Sequence, residues 1–391
     1  MPGTGRTYYI AGAGIAGMTL ALALAKFGAA VVILERSQTI SEFGAGLQVS
    51  PNARKILDNL GLGEAIAARS LEPLGIDIYP WRRPDPLVTL ELGAIMRQRF
   101  GAPYAVMHRA DLADALYKAC RRFASIDILF GVRNWDVVSH ARGITVSIDE
   151  ANGQTRTGRA NAFIGADGVH SRTRTELLGG PSARHTGSAA WRTLLQASDV
   201  AGKLPLDRVS VFLARDFHAV TYPLPHRGQV NLALFAPQRN PSDKGENPVL
   251  PKAVETWPPL SSLLAAARDW TAWPLYTVAT SNWHDGNIGL VGDAAHAMVP
   301  FQAQGAAMGI EDAAVLAPLL ISKRSAESAF KKYAKLRQRR TARVARVSAG
   351  NGRIFHLPWP LSTARNAVIA LQGSRGHLRR LAWLYGHEIN S

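Results

Sequence analysis

Two short segments near the start of the chain, residues 7–10 and 29–34, are apolar at nearly every position. A glycine cluster and an apolar stretch at residues 15–27 lie between them. Strands that are apolar on both faces must be covered on both sides, whereas half-exposed strands alternate. The order strand, glycine turn, helix, strand therefore predicts the opening of a doubly wound parallel sheet whose second strand ends at Glu35. Residues 50–60 predict a helix entered through Ser50, Pro51 and Asn52. Proline in a first turn lacks only an N–H that has no helical partner there. An irregular proline-rich stretch at 79–86 follows, then an amphipathic helix at 109–123.

From residue 187 to about 236 the texture changes. Segments 190–197, 208–214, 217–222 and 229–235 are short, strand-like and separated by turn residues, which predicts a second sheet, antiparallel or mixed, inserted into the first unit. Residues 287–291 return to the buried-strand pattern, and a long helix is expected at 305–321. From residue 325 onward the pattern is mainly helical, with a proline-interrupted turn at 357–360.

Composition narrows the class. Of the 391 residues 47% are hydrophobic and 19% charged, which excludes a disordered or low-complexity chain. The single cysteine, Cys120, can form neither an internal disulfide nor a cysteine-rich metal site, so no metal is expected and the expected compartment is the reducing cytoplasm. The apolar run at residues 10–25 is shorter than the ~20 residues a membrane span needs and is broken by Gly12, Gly14 and Gly17. No other segment reads as long enough, so no membrane partner is expected.

The 45 lysines and arginines against 29 acidic residues give a net charge of +16, unevenly spread. Lys323, Arg324, Lys331, Lys332, Lys335, Arg337, Arg339, Arg340, Arg343 and Arg346 face only Glu327 in their segment. Such a run can track a phosphate backbone. Phe330, Tyr333, Leu336, Val344 and Val347 recur at helical spacing, however, and no aromatic platform accompanies the charge. The expectation is a solvated helix face, with no nucleic-acid partner.

The chemistry concentrates in two places. Gly12-Ala13-Gly14-Ile15-Ala16-Gly17 is a G-x-G-x-x-G between a predicted strand and a predicted helix. Gly12 permits the tight turn, Gly14 lets backbone approach a pyrophosphate, and Gly17 allows the helix to pack on the sheet. Ile15 and Ala16 open the helix, whose free N–H groups and dipole favour phosphate. Glu35 lies where an acid receives ribose hydroxyls and disfavours a 2′-phosphate, so the ligand is FAD or NAD rather than NADP. In the second place, a strand ends in Gly292-Asp293 and is followed by Pro300-Phe301-Gln302-Ala303-Gln304-Gly305-Ala306. An aspartate there can accept hydrogen bonds from a polyol, and the Gly305 turn offers helix N–H groups to a second anionic group.

Three stretches occur in order: the glycine cluster, Gly165-Ala166-Asp167-Gly168-Val169-His170-Ser171-Arg172-Thr173-Arg174, and the Gly292-Asp293-Ala294-Ala295-His296 segment. Together they resemble the G-x-G-x-x-G, D-G-x-x-S-x-x-R and G-D-A-A-H-x-x-x-P motifs of the class A single-component flavoprotein monooxygenases, the aromatic-ring hydroxylases. His108-Arg109-Ala110-Asp111-Leu112 is similar to that family's H-R-x-x-L. Ala190-Trp191-Arg192 and Trp383-Leu384-Tyr385-Gly386 resemble the branch containing salicylate hydroxylase and 6-hydroxynicotinate 3-monooxygenase. The likeness runs over nearly the whole chain.

The resemblance implies a Rossmann-type FAD-binding domain at residues 1–75, 101–180 and 280–325. It implies a substrate domain built on a mixed β-sheet at 76–100 and 181–279, and a C-terminal helical region at 326–391. It implies that Gly12, Gly14 and Gly17 hold the FAD pyrophosphate, Glu35 the adenosine ribose, with Arg36 beside the adenine. By the same likeness Arg109 reaches the phosphate–ribityl region, Asp293 binds the ribityl end, and Gly305 with Ala306 faces the flavin N1–O2 edge. Asp167 is linked in the family to FAD and to the passing nicotinamide nucleotide; without the family, Asp167-Gly168 reads as a turn and Arg174 as a solvent-facing helix residue. One dinucleotide fingerprint suffices, because NADH or NADPH visits without a domain of its own.

The implied function is hydroxylation of a small aromatic substrate by NAD(P)H and O2 through a flavin C4a-hydroperoxide, in a monomer or homodimer. The alternatives are a related flavoprotein hydroxylase of a quinone precursor, polyketide or N-heterocycle, and, in a different class, an NAD-dependent dehydrogenase. Deprotonating a ring hydroxyl raises the electron density of the ring, so a base is wanted beside it. His218 and Tyr222 are the candidates, since strand positions four apart share a face. Pro300 is expected to cover the reactive face of the flavin. Phe301, taken as a substrate-binding residue, stands where 6-hydroxynicotinate hydroxylases carry a histidine, and residues 44–48 lack one as well; both weigh against a hydroxynicotinate. An aromatic carboxylate wants an arginine partner, for which Arg192 is the first candidate and Arg82, Arg83 and Arg215 are others.

Overall fold

The computed structural model describes residues 3–40, 46–141, 143–149, 153–238 and 248–389; Gly44 and Ala45 of the 44–48 stretch lie outside them. The strands Ile288–Leu290, Ala162–Gly165, Thr7–Ala11, Ala30–Leu34 and Ile126–Leu129 form a parallel sheet in that order, with the short His284–Asp285 strand antiparallel at one edge. Tyr8 pairs with Val31 on one side and Ala162 on the other, so Thr7–Ala11 is central. The Ile15–Lys26 helix is apolar on all sides because it lies between this sheet and the Gly305–Ser322 helix; Leu20, Leu22 and Leu24 are all fully buried. Each such leucine contributes about 1.5–3 kcal/mol.

The second sheet is mixed and seven-stranded. Its order is Thr271–Thr277, Arg184–Gln196, Gln229–Pro237, His218–Leu224, Val209–Leu213, Gly75–Pro80, Val88–Glu91. Only the Val209–Leu213 and Gly75–Pro80 pair runs parallel. One face carries Trp191, Phe212, Leu232 and Leu234, packed on Trp257 and the Leu260–Ala266 helix in a separate core. The opposite face meets the parallel-sheet unit, with Tyr222 and Leu224 joining the main core. Two small three-stranded sheets complete the β structure among the described residues: Asn134–His140, Gly143–Asp149 and Thr155–Ala160, and Gly46–Val49, Ala105–His108 and Ser70–Leu71.

Two expectations are corrected here. The 18-residue Gly305–Ser322 helix, mean hydropathy 1.4, is long and apolar enough to cross a membrane, contrary to the reading that no other segment is. Its apolarity is used inside the fold, where 61% of it is buried against the Ile15–Lys26 and Ala326–Phe355 helices. The basic run is not simply a solvated face. It lies on the 30-residue Ala326–Phe355 helix, where Phe330, Tyr333 and Val344 are buried as the spacing requires, but Arg337 is buried with them and Leu336 is exposed.

Candidate active site

At Gly12 the backbone turns with φ +103°, and a Cβ there would lie 2.5 Å from the Ala166 carbonyl oxygen. At Gly17 a Cβ would lie 2.1 Å from the Gly12 oxygen, so neither position admits a side chain. Gly14 is the N-cap of the Ile15–Lys26 helix and no side chain caps it, which leaves the first-turn N–H groups of Ile15, Ala16 and Gly17 for an outside acceptor. The Glu35 carboxylate accepts from the N–H of Ala13 and of Ser37, both at 2.9 Å, which fixes it beside the glycine turn. Arg36 is exposed next to it.

The three sequence motifs meet in space. The Ala16 methyl sits in a notch formed by Gly292 and Gly309, where added Cβ atoms would come within 3.0 and 2.9 Å of it. This seats the glycine turn against the Gly292-Asp293 turn. Asp293 is exposed at the mouth, and its Oδ1 lies 4.0 Å from the place of a Cβ on Gly305. Asp167 uses both oxygens inside its own turn, accepting from Ser171 Oγ at 2.5 Å and from Thr173 N and Oγ1 at 3.0 Å. The bare reading of Arg174 as solvent-facing is corrected. Arg174 is fully buried and donates to the carbonyls of Ala294, Val169 and Pro181.

Behind the Gly305 turn lies a buried ionic network that the sequence gives no sign of. Arg337 donates from Nε to Asp312 Oδ1 at 2.7 Å and from Nη1 to Glu311 Oε2 at 2.5 Å. Arg340 donates twice to Glu311, and Asn52 donates to Glu311 Oε1 at 2.7 Å. Asp312 Oδ2 lies 2.5 Å from His296 Nε2 and accepts the Gly292 N–H at 2.9 Å. Burial opposes the charge on Asp312, but His296 and Arg337 outweigh it and hold the carboxyl well below the usual carboxylate range. Gln304 starts the Gly305 helix and donates to Ser50 Oγ at 2.9 Å. The network thus fixes the backbone of Gly292, Gln304 and Gly305, which is where a ligand would be met.

On the inner face of the seven-stranded sheet, Ala190, Phe235 and His218 form one row across three strands, and Arg192, Ala233 and Val220 the next. Tyr222 follows opposite Asn231, so His218 and Tyr222 share this face with Arg192. His218 is buried, stacked on Phe235 at 4.6 Å and met edge-on by Phe301 and Phe355. Its Nδ1 lies 2.9 Å from His356 Nε2. Burial, and secondarily His356, lowers the basicity of His218 well below that of a free histidine, so its ring is neutral at neutral pH. Burial raises the Tyr222 hydroxyl pKa, against the opposing effect of Arg192.

Arg192 Nε is buried with no hydrogen-bond partner among the described residues. Burial weakens the hold of its guanidinium on its proton; Tyr222 opposes that and the charge of Arg109 adds to it. Arg109 opens the Arg109–Cys120 helix, where His108 Nδ1 accepts the Ala110 N–H at 3.1 Å. Arg82, Arg83 and Arg215 are exposed; the first two follow Trp81, which packs on the other face of the sheet, and Arg215 pairs with the exposed Asp216 at 3.8 Å. Pro300 and Phe301 are half-buried between His218 and the turn before Gly305.

A family model described as an FAD binding domain matches residues 7–348. The 3-hydroxybenzoate 6-hydroxylase of Klebsiella oxytoca is 32% identical over 384 residues, covering 96% of each chain. The chain belongs to the FAD-binding-domain flavoprotein hydroxylases. Another relative, the 6-hydroxynicotinate 3-monooxygenase of Pseudomonas fluorescens, is 31% identical over 88% of this chain and 90% of its own. The crystal structure of Klebsiella pneumoniae HpxO with FAD and uric acid shares the fold at a TM-score of 0.83, with 23% identity over 97% of this chain and 96% of that one.

Membership decides the ligand that the glycine turn left open between FAD and NAD. The residues fit FAD: the turn at Gly12 and Gly17 has no room for a side chain, the helix end at Gly14 is uncapped, and Asp293 is exposed beside Gly305. Sequence reasoning missed His356, Gln304, Asn52 and Arg337. His356 belongs to no motif and Arg337 is hidden in a run of basic residues, whereas Asn52 stands at a predicted helix entry and Gln304 in the segment before Gly305.

Proposed function

We propose that the protein is an FAD-dependent monooxygenase that hydroxylates a small aromatic acid bearing a ring hydroxyl, with NAD(P)H as donor and O2 as oxidant. FAD held by these residues would supply the redox chemistry, that is, hydride acceptance from the nicotinamide and transfer of one oxygen atom of O2. The observation that carries the substrate class is Arg192, whose buried Nε has no partner on a face shared with His218 and Tyr222. A buried donor such as this Nε–H is costly to leave without an acceptor, and a substrate carboxylate removes that cost by a charge-assisted pair.

The roles follow from position. Gly12, Gly14, Ile15, Ala16 and Gly17 present backbone to the pyrophosphate, Glu35 and Arg36 hold the adenosine end, and Arg109, Asp167 and Asp293 line the path toward the ribityl chain. Gly305 and Ala306 bring a helix N-terminus to the negative edge of the isoalloxazine. Phe301, Phe235 and Pro300 give the ring an apolar wall that excludes water. His218, neutral in its apolar setting, accepts the ring hydroxyl proton, and Tyr222 orients the ring from the same strand. In this reading residues 76–100 and 181–279 act as the substrate domain in a cytoplasmic enzyme.

The test combines the absorption spectrum of purified protein with NADH and NADPH oxidation against 3-hydroxybenzoate and its methyl ester. Flavin bands with oxidation stimulated by the acid and not by the ester are expected. Protein that takes up no FAD on reconstitution overturns the proposal, and equal stimulation by acid and ester overturns the carboxylate assignment.

A further inference from the structure

His218 and His356 come from distant parts of the chain, one from the inner strand His218–Leu224 and the other from the end of the Ala326–Phe355 helix. Their rings approach with Nδ1 of His218 2.9 Å from Nε2 of His356. At that distance one imidazole donates and the other accepts. His218 is 1% exposed and enclosed by Phe235, Phe301 and Phe355, whereas His356 is half-buried and caps its helix near the exposed Trp359. No hydrogen bond to His218 Nε2 occurs among the described residues. The Nδ1 contact therefore joins this enclosed ring to the more exposed His356.

We infer that His356 is the second member of a two-imidazole relay that carries the proton of a bound ring hydroxyl from His218 to solvent. The inference rests on the reading of the sheet face as a substrate site. The ring hydroxyl O–H breaks as a bond forms from the proton to His218 Nε2. The Nδ1–H of His218 breaks as a bond forms to His356 Nε2, and the Nδ1–H of His356 passes to water. One proton leaves, both rings end neutral with exchanged tautomers, and the substrate remains as its phenolate.

The charged groups acting on the outer ring are Asp216, which favours its protonation, and Arg365, which opposes it; burial opposes it most. Arg365 is itself held in place by the Phe355 and Ile354 carbonyls at 2.6 and 3.3 Å, so its charge is fixed beside the relay. On the inner ring burial dominates, and the nearby His356 disfavours a second proton further. Both rings therefore stay neutral between transfers, as a relay requires.

The experiment mixes FAD-loaded protein, without reductant, with 3-hydroxybenzoate and follows proton release with a pH dye and phenolate formation by ultraviolet absorbance. His356→Gln should bind the acid within about threefold of the wild type, yet release the proton tenfold or more slowly, of the order of a lost proton-transfer group. Added imidazole should restore the rate. Release at the wild-type rate in His356→Gln overturns the relay. A wild type that binds the acid with no phenolate signal overturns instead the assignment of His218 as base. If the variant does not fold, nitrogen NMR of the wild-type rings decides. His218 should change from Nδ1–H to Nε2–H on binding the acid, and an unchanged tautomer overturns the inference.

Discussion

Arg174 donates from Nη1 to the carbonyl of Ala294 at 2.9 Å, joining the Asp167–Gly168 turn to the turn that carries Asp293. The same guanidinium holds Val169 and Pro181 at 2.7 and 2.8 Å, so one side chain fixes the spacing of two motifs. Replacing it leaves three carbonyls without a donor in a buried place. Arg174→Leu is expected to cost about 3–5 kcal/mol of stability and to weaken FAD retention. Calorimetry with and without FAD checks this; an unchanged melting temperature in both states counts against it.

The Asp312 carboxyl predicts how stability responds to acid. Its folded pKa lies below the unfolded value of about 3.9, so its contribution is complete above that pH and is lost as pH falls toward the folded value. Urea unfolding of the wild type should therefore show stability falling with acid below about pH 4, partly through this group. Asp312→Asn should have a shallower acid slope and be less stable at neutral pH by about 3–5 kcal/mol, because Arg337 then loses half of its buried pairing. An Asn variant with the wild-type slope would show that other carboxylates set it.

What was legible in the sequence is what the backbone must do locally. The glycine turn, the two apolar strands and the helix after Gly305 were readable because a tight turn and a two-sided strand admit few residue types. The alternation Ile144, Val146, Ile148 marks the Gly143–Asp149 strand equally clearly and was passed over. The partners of Arg337, Arg174 and His218 were not legible. Each is set by packing between segments 25 to 138 residues apart, and no local pattern tells a buried arginine in a basic run from its solvated neighbours.

Arg192 predicts a split between binding and redox steps. Arg192→Met keeps an unbranched apolar stem and removes the guanidinium with its charge from the sheet face. Its KM for a hydroxybenzoate should rise roughly 30-fold or more, the loss expected of a charge-assisted pair. The flavin spectrum should not change, since Arg192 lies on the seven-stranded sheet and not on the parallel one. Steady-state kinetics with the acid and its methyl ester measures this. A KM that rises equally for both would mean that Arg192 shapes the pocket without pairing with the carboxylate.

His218 predicts which half of the cycle depends on a base. His218→Gln fills much of the space between Phe235 and Phe301 but cannot accept a proton. Anaerobic bleaching of the flavin by NADH should stay within a few-fold of the wild type, because hydride transfer needs no substrate anion. The rate of hydroxylation should fall by about 10²–10⁴, the usual contribution of a positioned base, and less product should form per NADH consumed. The pH profile then separates the roles. In the wild type the rate should be flat around neutrality, since burial keeps the ring neutral there. In the variant the rate should climb with pH toward the substrate's own ionisation, near the ~10 of a phenol. A variant that lowers reduction and hydroxylation equally, with no rise at high pH, would make His218 part of the pocket wall and not its base.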